Sequence, residues 1–229
     1  PYSWGGAFTE GNSWHYSWSV FQDIEGLKQL MGGNQKFVQM LDSVFIMPPD
    51  IGDYSYCGFI IHEMREMQIT GMGQYAHGNQ PIQHMTYLYN YAGQPWKSQY
   101  GNREVMDRLY HSGPDGYCGD EDNGQTSAWY VFSAMGFYPV TPASTQYVIG
   151  SPLFKKVEIN FENGKKLKIH SPLNSKGNRY IQSLLFNGKP LSRNYLEHFD
   201  LLKGADIEFL MGSQPQRSRG TSPADFPFS

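Results

Sequence analysis

Up to Met135 the apolar residues recur every three to four positions, the spacing that lines one face of a helix. Leu27, Leu30 and Met31, then Phe37, Val38, Leu41 and Phe45, predict amphipathic helices over 23–30 and 35–45, joined at Gly32-Gly33, with Asn34 placed to cap the second. Pro48-Pro49 and Gly52 mark a loop over 47–53. Further helices are expected over 81–91, with Pro81 in its first turn, over 95–110, and over 126–135, the last closed by Gly136 and Pro139. After Pro139 the period shortens to two, with alternating runs at 157–161, 166–170, 183–187 and 206–210. Asn163-Gly164 is a strong hairpin signal between the first two runs, and Asn187-Gly188 is a second. The expected class is therefore α+β. A helical toroid or bundle, its polar loops gathered at one end, fills 1–140; an antiparallel sheet with one buried face fills 141–212; an irregular tail over 213–229 is loosely ordered or wrapped on a partner surface.

At 229 residues the chain is long enough for one large domain or two ordinary ones. Aromatic residues make up 15% and charged residues only 17%, which favours stacking surfaces of the kind that sugars and bases both use. A net charge of −3 decides between them, because a nucleic-acid partner calls for a basic field. Cys57 and Cys118 have no zinc or redox spacing, and whether they pair is left open. No apolar run is long enough to span a bilayer. The chain begins on Pro1 within what reads as a loop, so it is expected to be a piece of a longer polypeptide, and the lack of a leader says nothing of compartment.

Three stretches carry candidate chemistry. In the first, Asp120, Glu121 and Asp122 stand together at a helix start, and adjacent carboxylates repel unless they serve a cation, a proton transfer or a cap. Asp122 lies three residues before Gln125, which fits a capping box, but a cap needs one acid and not three. Asp120 and Asp122 are thus candidates for catalysis or ligand binding, and the spacing does not make an EF-hand loop. In the second stretch, Glu10 is the single acid among Trp4, Trp14, Trp18, Tyr2 and Tyr16. Desolvation there would raise its pKa and suit a general acid, the plain alternative being a solvated loop glutamate. The third stretch holds His62-Glu63, His77, Asn79-Gln80 and His84. His62-Glu63 is followed by Met64, Arg65 and Glu66, so no HExxH zinc motif forms. His84 reads as a satisfied hydrogen-bonding residue, whereas the oxygens of Asn79-Gln80 suit sugar hydroxyls or calcium.

The segments TEGNSWHYSW, GQYAHGNQPIQHMTYLYNYAGQPW and GDEDNGQTSAWYVFSAMGFYPVTPAS together resemble glycoside hydrolase family 92, the calcium-dependent exo-acting α-mannosidases. The resemblance runs in order from Tyr2 to Met211. It implies a β-sandwich followed by an (α/α)6 toroid, of which this chain holds the C-terminal part, so the missing N-terminal part of the parent enzyme is an expected partner. It further implies that Glu10 is the general acid, that Asp122 is the general base with Asp120 beside it, and that His62, Glu63, His77 and Trp14 bind a mannose-containing glycan. Inverting hydrolysis of terminal linkages is expected, α-1,2 by the His62-Glu63 pair, with calcium on Asn79 and Gln80. Gln80 stands where many members carry glutamate, which lowers the charge at that site. A periplasmic or extracellular location is implied by resemblance. A non-catalytic carbohydrate-binding module stacking sugars on tryptophan is the rival reading, and a calcium-stabilised structural domain is a third.

Overall fold

The computed structural model describes residues 2–52 and 58–229, and all but one short α-helix precede the strands along the chain. Among the described residues the helices are α1 (Ser13–Tyr16), α2 (Ile24–Leu30), α3 (Asn34–Ile46), α4 (His62–Thr70), α5 (Pro95–Leu109), α6 (Gln125–Met135) and the short α7 (His198–Leu202). None is long and apolar enough to cross a membrane. Cys57 lies outside the described residues, and with it the question of a Cys57–Cys118 bridge.

The chain forms two compact units, Pro1–Met85 with Asp107–Trp129, and Thr86–Met106 with Tyr130–Ser229. The sequence boundary at residue 140 falls inside the second. In the first unit, Phe37, Val38, Leu41 and Val44 turn inward from α3 at helical spacing. Asn34 is the first residue of α3 and not its cap: Gly33, at φ 93°, takes that place with no side-chain hydrogen bond. The segment expected as an α-helix over 81–91 instead winds as two 3₁₀ stretches, Gln80–Ile82 and Met85–Ala92. Met85, Thr86, Tyr87 and Leu88 are all fully buried, so consecutive positions face protein and no single stripe holds the 3.6-residue period.

The second unit holds eight strands: β1 (Phe137–Tyr138), β2 (Gln146–Ile149), β3 (Lys156–Asn160), β4 (Lys166–His170), β5 (Tyr180–Phe186), β6 (Lys189–Pro190), β7 (Tyr195–Glu197) and β8 (Ala205–Gly212). They form a sheet of order β1-β2-β7 and a larger one of order β3-β4-β8-β5-β6. The larger sheet is not wholly antiparallel, because β4 and β8 run parallel with Leu167 opposite Ala205. Period-two patterning fixes which face each residue takes but not strand direction, so the sequence could not show this pair. Leu167, Ile169, Ile181, Leu184, Ile207, Phe209 and Met211 build the core on the buried face.

The tail is better ordered than expected and wraps on this same unit. Asn194 donates to the Gly220 carbonyl at 2.7 Å, Ser192 donates to the Asp225 carboxylate at 2.5 Å, and Phe228 stacks edge-on against Tyr195. Arg219, half-buried, donates to the Leu191 and Arg193 carbonyls.

Candidate active site

The candidate residues all belong to the first unit, where the loop carrying Glu10, the start of α4, the 77–80 loop and the 119–122 loop converge. Glu10 is held from behind. Asn12, one residue beyond Gly11, is buried and caps α1 by accepting from the Trp14 N–H at 2.9 Å, and it donates to the Gln74 side chain at 3.1 Å. His15 accepts the Asn12 N–H on Nδ1 at 3.1 Å, so its Nε2–H donates to the Gln74 carbonyl at 2.7 Å. Burial holds that imidazole neutral, its pKa lowered to about 4. Asn79 donates from its amide nitrogen to the Glu10 carbonyl, tying the acid loop to the 77–80 loop.

Helix α4 brings His62 and Glu63 to the same place. His62 Nε2 lies 3.2 Å from Glu63 Oε1 and 3.8 Å from Asp120 Oδ2. Burial pushes the Glu63 carboxyl above its ordinary range; its own backbone N–H and His62 pull it down, while Glu10 and Glu66 push it up. Glu10 is therefore close enough to act on Glu63, and Glu63 lies beside the His62–Asp120 pair. Glu10 itself is exposed, contrary to the desolvated acid expected from its aromatic neighbours: Trp4 and Trp18 are turned into the core and do not cover it. Asp120 is also exposed, and Asp122 is half-buried.

Glu121 and not Asp122 is the cap at this helix start, since its Oε2 accepts the Gly124 N–H at 2.6 Å. The expected Asp122–Gln125 capping box is thus replaced, and the Asp122 carboxylate is not committed to capping. Glu10 (φ 49°), Asp122 (φ 56°) and Asn123 (φ 55°) are the non-glycine residues of this unit in the left-handed region, among those described. That conformation costs a residue such as glutamate about 1–2 kcal/mol and Asp or Asn less, and such strain gathers where a side chain must be aimed.

His77 is fully buried, and its ring nitrogens are occupied by Tyr75 at 2.7 Å and Tyr110 at 2.8 Å. The Tyr110 hydroxyl donates its hydrogen bond to the Thr126 carbonyl, so Nε2 of His77 donates to Tyr110 and Nδ1 accepts from Tyr75. A ring so enclosed braces the 77–80 loop. Trp14 is half-buried, with its indole nitrogen enclosed and without a partner. His84 donates to the Trp18 carbonyl at 2.8 Å but leaves Nδ1 buried without a partner, so it is only half satisfied.

Two residues escaped the sequence reading. Gln74 ties Asn12 and His15 to the 48–50 loop by donating to the Pro48 and Asp50 carbonyls. Glu66 accepts the Gly119 N–H on Oε1 at 2.9 Å. A signal for Glu66 was present: it stands four residues after His62 and three after Glu63, and helical spacing puts all three on one face.

For a cation, the oxygens without partners are Glu63 Oε2 and Glu66 Oε2, both buried, and Asn79 keeps its amide oxygen clear of the bond its nitrogen makes to Glu10. Such hard oxygen donors fit calcium. Among the described residues, His62, Glu63 and Asp120 have ligand atoms within 4.8 Å of one another, but a nitrogen donor in that set suits calcium poorly.

Residues 1–213 match the glycosyl hydrolase family 92 catalytic domain, and the chain belongs to that family. A family GH92 inverting mannosidase from Bacteroides thetaiotaomicron is 57% identical, with a TM-score of 0.85 over 99% of this chain and 31% of its own. A family GH92 α-mannosidase from the same organism, solved with mannoimidazole, is 36% identical with a TM-score of 0.88, over 100% of this chain and 30% of that one. An uncharacterized secreted glycosidase of Arthroderma benhamiae is 29% identical over 95% of this chain and 25% of its own length. The chain thus spans under a third of each of these relatives.

Proposed function

We propose that this chain supplies the acid, the base and part of the sugar pocket of an α-mannosidase that hydrolyses terminal linkages with inversion. The convergence of Glu10, His62-Glu63 and Asp120 from three distant stretches carries the reading. In it, Glu10 protonates the leaving oxygen, and Asp122, with Asp120 beside it, takes a proton from the attacking water. An inverting pair stands about 6.5–9.5 Å apart, leaving room for that water. His62 and Glu63 hold the departing sugar, which favours α-1,2 linkages. Asn79, through its amide oxygen, and Gln80 hold calcium; when bound, the ion supplies positive charge to the 2- and 3-hydroxyls of the mannose. The substrate is a mannose-containing glycan, and the secreted relative agrees with a periplasmic or extracellular place of work. A carbohydrate-binding module without catalysis is less favoured, since Trp4 and Trp18 are buried and cannot stack on a sugar.

The exposure of Glu10 and the desolvation of Glu63 support one variant of this reading, in which Glu63 keeps the catalytic proton. Leaving-group dependence separates the two. In the complete polypeptide that carries this chain, Glu10→Gln is expected to lower turnover of α-1,2-mannobiose by about 10²–10⁴-fold. The same variant should remain active on a dinitrophenyl α-mannoside, whose leaving group needs no proton. If Glu63→Gln shows that pattern and Glu10→Gln does not, the acid is Glu63. Asp122→Asn should abolish turnover of both substrates while leaving sugar binding intact, and retained turnover would overturn the assignment of Asp122 as the base; no turnover by the unsubstituted complete polypeptide would overturn the hydrolase reading. The anomer first released, read by NMR, tests inversion.

A further inference from the structure

The 77–80 loop, which Asn79 ties to the loop carrying Glu10, meets the loop carrying Asp120 and Asp122 at a crossing of two glycine backbones. A Cβ on Gly119, whose φ is +70°, would lie 2.4 Å from the Gly78 carbonyl oxygen and 2.6 Å from the Gly78 Cα. A Cβ on Gly78 would lie 3.0 Å from the Gly119 Cα and 2.5 Å from Glu66 Oε2. Neither position admits a side chain, so the two strands of backbone are in direct contact. On one side of the crossing, Asn79 donates to the Glu10 carbonyl. On the other, Asp120 follows Gly119 directly and reaches His62. Glu66 closes the arrangement from α4: one carboxylate oxygen accepts the Gly119 N–H at 2.9 Å, and the other is packed toward Gly78.

We propose that Glu66 is a positioning residue that, with the Gly78–Gly119 crossing, fixes the registry between the Glu10 loop and the Asp120–Asp122 loop. The proposal rests on the hydrolase reading for its functional consequence but on the hydrogen bond to Gly119 for its mechanism. A carboxylate is suited to the task because a charged acceptor makes the stronger bond to a backbone N–H. Helix α4 also carries His62 and Glu63, so the same element that presents the sugar-binding pair sets the height of the base loop. In this role Glu66 acts through its bond to Gly119.

Two readouts test it in the complete polypeptide. Glu66→Ala is expected to speed exchange of the Gly119 amide while exchange within α4 stays unchanged, which shows that the helix still folds. It should lower kcat on α-1,2-mannobiose by about a hundredfold with little change in KM, the effect of misplacing a reacting group by an ångström or so. Glu66→Gln keeps an acceptor oxygen in the same place and should restore most of kcat and the slow exchange. Gly119→Ala, which forces the crossing apart, should match the alanine variant of Glu66. The proposal fails if Glu66→Ala leaves the Gly119 exchange and kcat as they were, or if Glu66→Gln falls as far as Glu66→Ala, since charge and not registry would then be at work. Absence of turnover in the unsubstituted complete polypeptide would instead defeat the hydrolase reading, and the exchange measurement would still decide the role of Glu66.

Discussion

His15, His77 and His84 are enclosed by protein, and burial lowers their pKa values to about 4, about 3 and about 4 from the ordinary 6.5. Each is an imidazole that the fold accepts only uncharged. In the unfolded chain all regain the ordinary value, so between pH 6.5 and about 4 the unfolded state binds protons that the folded state refuses. Stability therefore rises with pH across that window and is lost as pH falls through it, by up to about 1.4 kcal/mol per pH unit for each histidine. The melting temperature should drop steeply from pH 6.5 towards pH 4.5, and His84→Gln, which retains a donor for the Trp18 carbonyl, should flatten the slope by one histidine's share. A melting temperature that is level over this range would show that the three rings are reached by protons without unfolding. The enclosure of His77 could not be read from its position among polar residues: nothing in the sequence reveals that Tyr75 and Tyr110 close over both its nitrogens.

At the scale of elements, what the chain displayed in advance was whatever depends on neighbours in sequence. The Asn187-Gly188 turn is an example. Both residues have positive φ, 51° and 75°, and they join β5 to β6 as the dipeptide predicts. The turn is also pinned sideways, since the Asn187 side chain accepts the Asp206 N–H at 2.8 Å and its own N–H donates to the Asp206 carbonyl at 2.8 Å. Asn187→Gly removes the first bond and keeps the backbone conformation, whereas Asn187→Ala removes the bond and adds left-handed strain. Urea unfolding should place the alanine variant about 1 kcal/mol below the glycine variant, and equal midpoints would refute the strain. Strand β8 shows the opposite case. Its alternation was plain, but its parallel pairing with β4 and its antiparallel pairing with β5 are long-range choices that alternation does not encode. The candidate site divides likewise: the acids at 10, 120 and 122 and the His62-Glu63 pair stand out by residue type. The part played by Glu66 depends on a glycine 53 residues further along.

At the scale of the whole molecule, the chain is under a third of the length of the relatives compared, and its first unit shows apolar helix ends to solvent. Leu30, the last residue of α2, is 89% exposed, Ile46, the last of α3, is 77% exposed, and Ile69, near the end of α4, is 81% exposed. Single exposed apolar residues are common and carry little meaning alone. Three at the ends of three helices in one unit are more costly, because fully covering a Leu or Ile side chain is worth about 1.5–3 kcal/mol. If further polypeptide covers them, as the toroid implied by the family would, the isolated chain should bind an apolar dye and hydrolyse α-1,2-mannobiose with calcium weakly or not at all. The longer polypeptide should lose the dye signal and gain turnover. Replacing Leu30, Ile46 and Ile69 with lysine should then have opposite effects in the two forms: better solubility for the isolated chain, and a lower melting temperature for the longer one. Full turnover by the 229 residues alone, or lysine variants that leave the longer form as stable as before, would mean that these helix ends need no cover.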